Sequence, residues 1–244
     1  MNLIASRRYQ SGMTPLDLWR HELRRIGWAA LVTPPAAAAL VALLAVLQSF
    51  GTQDDASTAR TFHDVLAMGI PLAVGVVAGS LIGRDPVAEL QLSVVREYRA
   101  TLLRRLLLAA GWAAVVAVVA TVAVVASGWW YRLPSAPDPV AGQLTWLAPS
   151  LALGGLGFLV AALSRTAALA AGLVSGVWLV ELMIGDTLRG SSPLELLNLF
   201  ARRTADPGAW LANRAVLLAL GAALLLAAWG VLARPEHLLK GEEG

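Results

Sequence analysis

The stretch REYRATLLRRLLLAAGWAAVVAVVATVAVVASGWWYR, Arg96 to Arg132, decides the fold. Arg96, Arg99, Arg104 and Arg105 enter it, no charged residue follows until Arg132, and Trp129, Trp130 and Tyr131 close it. About 20 apolar residues, rising 1.5 Å each, cross roughly 30 Å of hydrocarbon. Tryptophan and tyrosine favour the border between lipid and water. The stretch therefore reads as a basic anchor, a membrane span over about 106–128, and an aromatic border.

Five further apolar runs flank it, at about 27–49, 62–83, 144–164, 166–187 and 211–233. The chain is 57% hydrophobic and only 14% charged, and no segment is long and polar enough for a separate soluble domain. The expected fold is an all-α membrane protein: one transmembrane domain, 1–244, with six transmembrane helices. The first run is too long for a signal-peptide core and lacks an obvious small-residue cleavage site, so it is read as a retained helix. Only Ser164, Arg165 and Thr166 separate the fourth and fifth runs, which implies a tight helical hairpin.

An even number of spans puts both termini on one side. That side carries 13 of the 19 basic residues, and the other carries Arg60, Arg132, Arg189, Arg202, Arg203 and Arg214. The positive-inside rule then makes the termini cytoplasmic, in an inner or plasma membrane. Trp28, Trp129, Trp130, Tyr131, Trp146, Trp210 and Trp229 fall near the expected borders, whereas Trp112 and Trp178 fall deeper and read as packing residues. Pro34, Pro35 and Pro71 are expected to kink the first two spans.

Three segments outside the spans have helical patterning. Residues 14–26 begin with a capping Thr14 and Pro15, then carry Leu16, Trp19, Leu23 and Ile26 on one stripe with Arg20, Arg24 and Arg25 away from it. This predicts a basic interfacial helix at the N-terminus. Between the fifth and sixth spans, Leu194 to Phe200 form an apolar patch too short to cross, read as a short outer helix. Between the second and third spans, Asp85-Pro86 makes a helix start, and Val87, Leu90, Val94 and Tyr98 make an apolar stripe. Glu89 suits the first turn of that helix, expected over 85–98 on the cytoplasmic face. Topology alone needs positive charge in this loop. It does not need Asp85, Glu89 and Glu97 within a capped, striped helix, and that mixed surface suits contact with another protein.

Glycines recur every fourth residue at Gly75, Gly79 and Gly83, and again at Gly172 and Gly176. Small residues at this spacing let helices approach closely in lipid, and packing within the chain is the favoured reading. Polar groups are few within the apolar runs. Glu181, near the outer end of the fifth span, is the candidate pathway residue, because a membrane carboxylate marks a pathway or a proton site by default, although a structural hydrogen bond or a place at the interface is the favoured reading. The pair Asp54-Asp55 is read as a solvated loop. Gly185-Asp186 has no second membrane aspartate with which to share a proton, so aspartyl protease chemistry is not expected.

The sequence also excludes several chemistries. It has no cysteine, and its three histidines (His21, His63, His237) are far apart, so no metal site is expected. It contains no G-x-x-x-x-G-K-[ST] loop, and its one lysine is Lys240. No catalytic constellation stands out, and the chain is not expected to be an enzyme by itself.

The segment AELQLSVVREYRATLLRRLLLAAGW resembles one found in permease subunits of the type-2 exporter class of ATP-binding-cassette transporters. These have six spans, an N-terminal interfacial helix, and a coupling helix between spans two and three. Glu89 falls where the family has a glutamate, Leu90 and Leu92 in its leucine run, and Arg96 and Arg99 in its basic exit. Val94-Val95 stands where the family usually has a proline. The resemblance extends over the chain as architecture and over about 25 residues as a motif. It implies a cytoplasmic contact with a separate ATPase through Asp85, Glu89, Leu90, Leu92, Arg96, Tyr98 and Arg99, with Trp19, Arg20, Leu23 and Arg24 on the interfacial helix. ATP and magnesium would then sit on that nucleotide-binding partner. A second permease copy or a related permease would complete the pathway, with membrane lipid around it and no nucleic acid. The competing expectations are a secondary carrier, for which Glu181 is the basis, and a membrane-embedded enzyme or assembly factor.

Overall fold

The computed structural model describes residues 27–51, 54–82, 95–133, 136–184, 195–201 and 207–233. Among them there is no strand. Helix α1 is Trp28–Ser49; α2 is Asp55–Asp64; a π-helical turn, Val65–Gly69, joins it directly to α3, Ile70–Ser80. Helix α4 is Val95–Ala126, followed by 3-10 turns at Trp129–Arg132 and Ala141–Gln143. Helices α5, Leu144–Ser164, α6, Ala167–Ile184, and α7, Pro207–Val231, complete the described fold.

Five helical stretches are long and apolar enough to cross a membrane: Asp55–Ser80, Arg99–Ala126, Ala141–Ser164, Ala167–Ile184 and Gly208–Val231. In α1 the apolar part, Ala30–Leu44, is shorter. Large apolar side chains lie exposed on α1, α4, α6 and α7, among them Leu43, Leu47, Val119, Val122, Met183 and Leu226. Water would penalise such a surface, and lipid would not. The chain is thus an all-helical, multi-pass membrane protein.

Helix α5 is the centre of the bundle. It packs against α3, α6 and α7. Of its spanning window 61% is buried, against 11% for α6, which therefore lies at the edge. Glycines set these approaches. A Cβ on Gly75 would meet Val174 at 2.6 Å and Leu153 at 3.1 Å, and one on Gly79 would meet Ala170 at 2.7 Å. A Cβ on Gly157 would run into the carbonyl of Gly75, and one on Gly221 would lie 2.5 Å from the backbone of Leu151. The expectation of packing within the chain holds for Gly75 and Gly79. Gly83 lies outside the described residues, and the expectation does not hold for Gly172 and Gly176, where an added Cβ would meet nothing within 4 Å among the described atoms beyond the helix's own backbone. Their spacing is the same, but they lie on the outward face of α6.

Pro35 has no N–H, so the carbonyl of Leu31, four residues earlier, loses its helical partner. The indole Nε1 of Trp112 on α4 donates to that oxygen at 2.8 Å. Pro71 likewise removes the partner of Ala67, and the ladder widens into the π turn Val65–Gly69 just before it. There Trp178 Nε1 on α6 donates to Met68 O at 3.0 Å. Trp112 and Trp178 thus do more than pack, since each supplies a donor to backbone in a neighbouring proline-altered helix.

Several expected boundaries shift. The second span begins at Asp55 rather than near 62, because Asp54 caps it: its carboxylate accepts the Ser57 N–H at 2.8 Å. Asp55 pairs with Arg132 at 2.7 Å, so this acidic pair is structural as well as solvated. The third span is continuous from Val95, so 95–98 form its first turn. The 164–166 hairpin is as tight as expected. Arg165 takes a left-handed conformation, φ 58°, and its N–H donates to Ala161 O at 2.8 Å. Trp130, Trp146 and Trp210 are buried rather than set at a lipid border.

Candidate functional site: a clamped cap and a charged opposite end

Two polar residues lie in the first half of α7. Asn213 Nδ2 lies 3.0 Å from each of three carbonyl oxygens, those of Glu195, Leu196 and Asn198. Arg214 Nη1 donates to Leu199 O at 3.0 Å, and its Nη2 donates to Ala201 O. Asn198 also accepts the N–H of Phe200 through its own side chain, at 2.8 Å. Glu195 is helical and the residues after it turn sharply, with Leu199 and Phe200 buried against α5, α6 and α7. The apolar patch read as a short helix is therefore mostly turn: beyond Glu195, residues 196–200 are not helical, and their carbonyls take side-chain donors from α7 in place of a helical ladder.

This cap answers a definite physical need. A turn that dips into an apolar bundle carries backbone carbonyls that need donors. Asn213 and Arg214, adjacent on α7, supply them. Arg214 is only 1% exposed, although its sequence position reads as an ordinary outer-side charge. Its guanidinium sits 5.5 Å from the Trp210 ring centroid, one turn earlier on the same helix. The sequence carried a signal for this pair, two strongly polar residues inside the apolar run of the sixth span, but hydropathy averages over it.

Glu181 reaches the same cap from α6. Its carboxyl lies near the backbone of Leu199, whose carbonyl oxygen accepts from Arg214. One residue of the cap thus links an acidic and a basic side chain from two helices. The second carboxyl oxygen, Oε2, is buried without a hydrogen-bond partner among the described residues. Glu181 also lines an open groove on α6 with Leu169, Gly172, Leu173, Gly176 and Val180. It therefore stands at the cap and beside the bare glycine face of α6.

At the other end, Arg99 lies over the ring of Trp229, 4.1 Å from its centroid, and Nη2 donates to Trp229 O at 3.1 Å. The start of α4 is thereby tied to the end of α7. Arg104 is exposed and Arg105 is buried, so the expected basic anchor divides between two environments. Asp85, Glu89, Leu90 and Leu92 lie outside the described residues, as do Trp19, Arg20, Leu23 and Arg24. Arg96 and Tyr98 fall in the first turn of α4, but their side chains lie outside the described part.

No family model, curated protein or solved structure significantly matches the chain.

Proposed function

We propose that this chain is the membrane-spanning permease subunit of an ATP-driven exporter, coupled to a separate ATPase through the segment around Asp85 to Tyr98. The observation that carries the reading is the continuity of α4. Residues 95–99, the basic exit of the charged motif, form the start of the helix that runs on through Ala126. A push on that motif would therefore act on a rigid rod. Arg99 would pass it to α7 through Trp229, and α7 holds the outer cap through Asn213 and Arg214. The lack of a phosphate-binding loop in the sequence fits a subunit that borrows its ATP hydrolysis.

A second copy would meet this one along the outward face of α6. Gly172 and Gly176 allow a close approach there, and pairing would take Glu181 away from lipid, where a carboxylate is costly. Both termini would face the cytoplasm.

The test is purification of the intact protein from its own membrane with whatever ATPase accompanies it. Glu89→Arg should abolish that co-purification, or the ATPase stimulation, while insertion into the membrane persists. Unchanged association and unchanged stimulation would refute the coupling role.

A further inference from the structure

A groove of about 410 Å³ runs between α1 and α4. Ala30 and Leu31 form one wall, and Leu107, Leu108, Gly111 and Val115 the other. Trp112 also lines it, and uses its single donor on Leu31 O at 2.8 Å, so the walls offer no free polar side chain. Leu107 and Val115 are exposed. A Cβ added at Gly111 would meet nothing within 4 Å, so the groove is open at its middle.

The two helices run in the same direction. Ala30 shares a cluster with Ala109, and further along both helices Ala38 shares one with Ala117. Their starts therefore lie at one end of the bundle. Trp28, 82% exposed, stands about one turn before Leu31 on α1. On α4, Arg104, Leu108, Gly111 and Val115 recur at intervals of four, three and four, which sets them in one row along the helix. Arg104 is thus the exposed residue at the head of the groove. Its Cβ tilts toward the helix start, and its long stem leads the guanidinium toward water. Gly111 and Trp112 lie near the middle of the spanning stretch Arg99–Ala126. Arg104 is about 12 Å nearer the start of that stretch, close to half of a roughly 30 Å hydrocarbon core. The guanidinium therefore meets the membrane border, with the apolar groove running inward from it.

Arg104 has no counter-charge in the chain. It makes no hydrogen bond or ion pair among the described residues. No carboxylate stands three or four residues from it on α4, where a helical ion pair would form, and Glu97 is two turns, about 10 Å, away. Asp54, Asp55, Asp64 and Asp138 lie where α4 ends, and Glu181 and Glu195 at the cap on that same side. The neighbouring arginines differ: Arg99 is held by Trp229, and Arg105 is buried.

We propose that this groove seats an acyl chain of an anionic phospholipid, whose phosphate pairs with Arg104 and whose head region rests beside Trp28. Basic sites between membrane helices take such headgroups, and the guanidinium fork matches a phosphate. The apolar walls attract any acyl chain, and Arg104 supplies the selection for charge. A zwitterionic headgroup carries its own cation beside the phosphate, so the arginine gains less from it. The inference does not depend on the exporter reading.

The test uses the full chain in nanodiscs of equal parts phosphatidylglycerol and phosphatidylcholine with identical acyl chains. Native mass spectrometry counts the lipid that stays with the protein on release. The wild type should retain phosphatidylglycerol in preference by about fivefold, the ratio that one arginine at a charged border supports. Arg104→Gln should bring that ratio to about one without reducing phosphatidylcholine. Gly111→Leu, which fills the groove and meets nothing in the chain, should reduce retention of both lipids. Both positions are exposed, so neither change disturbs the core. Arg165→Gln alters an exposed arginine at the same end of the bundle, where Ala162 packs with Leu102, and should leave the preference intact. Glycerol phosphate in large excess should not displace the lipid. Equal retention of the two lipids by the wild type, a preference that survives Arg104→Gln, retention that survives Gly111→Leu, or an equal loss in Arg165→Gln would overturn the site. Displacement by glycerol phosphate would overturn it too, by showing an ion site that needs no acyl chain.

Discussion

The indole Nε1 of Trp112 lies 2.8 Å from the carbonyl oxygen of Leu31, the oxygen that Pro35 leaves without a helical partner. A side chain on α4 thus completes the backbone of α1. In lipid an unmet carbonyl has no water to turn to, so the bond answers a need that the proline created.

Trp112→Phe should therefore lower stability by about 0.5–1 kcal/mol, the usual net worth of such a bond. Pro35→Ala restores the missing N–H. In that background Trp112→Phe should cost less, and a double-mutant cycle by unfolding in mixed micelles would read the difference. Strict additivity would mean that the indole and the proline are unconnected.

The cap depends on donors from α7. With Leu199→Cys as reporter in this cysteine-free chain, a membrane-impermeant maleimide should label slowly, because Leu199 is buried. Adding Asn213→Ala removes donors to three carbonyls. Labelling should then accelerate by roughly tenfold or more, the ratio that about 1.4 kcal/mol produces. Equal rates in both backgrounds would show that Asn213 does not hold the cap.

The two sets of glycines should respond differently to alanine. Gly157→Ala and Gly221→Ala push a methyl group into the backbone of Gly75 and Leu151, and should each cost about 1–3 kcal/mol. Gly172→Ala and Gly176→Ala meet nothing within the chain, and should stay within about 0.5 kcal/mol in the monomer. Thermal unfolding of the four variants in one detergent decides the matter.

Sidedness is open to direct measurement. Reporters fused after residues 56, 138 and 205 should read as external, and one after residue 244 as cytoplasmic. An external C-terminus would reverse the arrangement drawn from the arginine distribution.

Five of the six expected spans were readable in the sequence, because length and apolarity follow directly from bilayer thickness; in the first, the apolar part is only Ala30–Leu44. The fourth, expected at 144–164, is α5, Leu144–Ser164. The second was misjudged at its outer end because Asp55–Asp64 is a polar helix, and hydropathy does not register helical structure in polar residues. The burial of Arg214 and the donor role of the two deep tryptophans were not legible for a related reason. Whether a guanidinium meets water or a carbonyl, and whether an indole packs or donates, depends on what the neighbouring helix brings to it. Periodicity within one helix carries no record of that. The bare face at Gly172 and Gly176 shows the same limit from the opposite direction, since an identical spacing is filled at Gly75 and empty here.

The π turn at Val65–Gly69 amounts to one residue more than an α-helix needs over the same rise. Each residue of an α-helix turns the chain by about 100°, so the surplus residue sets the angular phase of the outer segment relative to the inner one. Deleting a single residue from the turn would re-thread the ladder as a plain α-helix and swing α2 by about a quarter turn against α3. His63 would leave the ring of Trp130, and Asp55 would leave Arg132. The outer architecture is indexed to a chain count, so an insertion or deletion there would be felt more widely than almost any substitution.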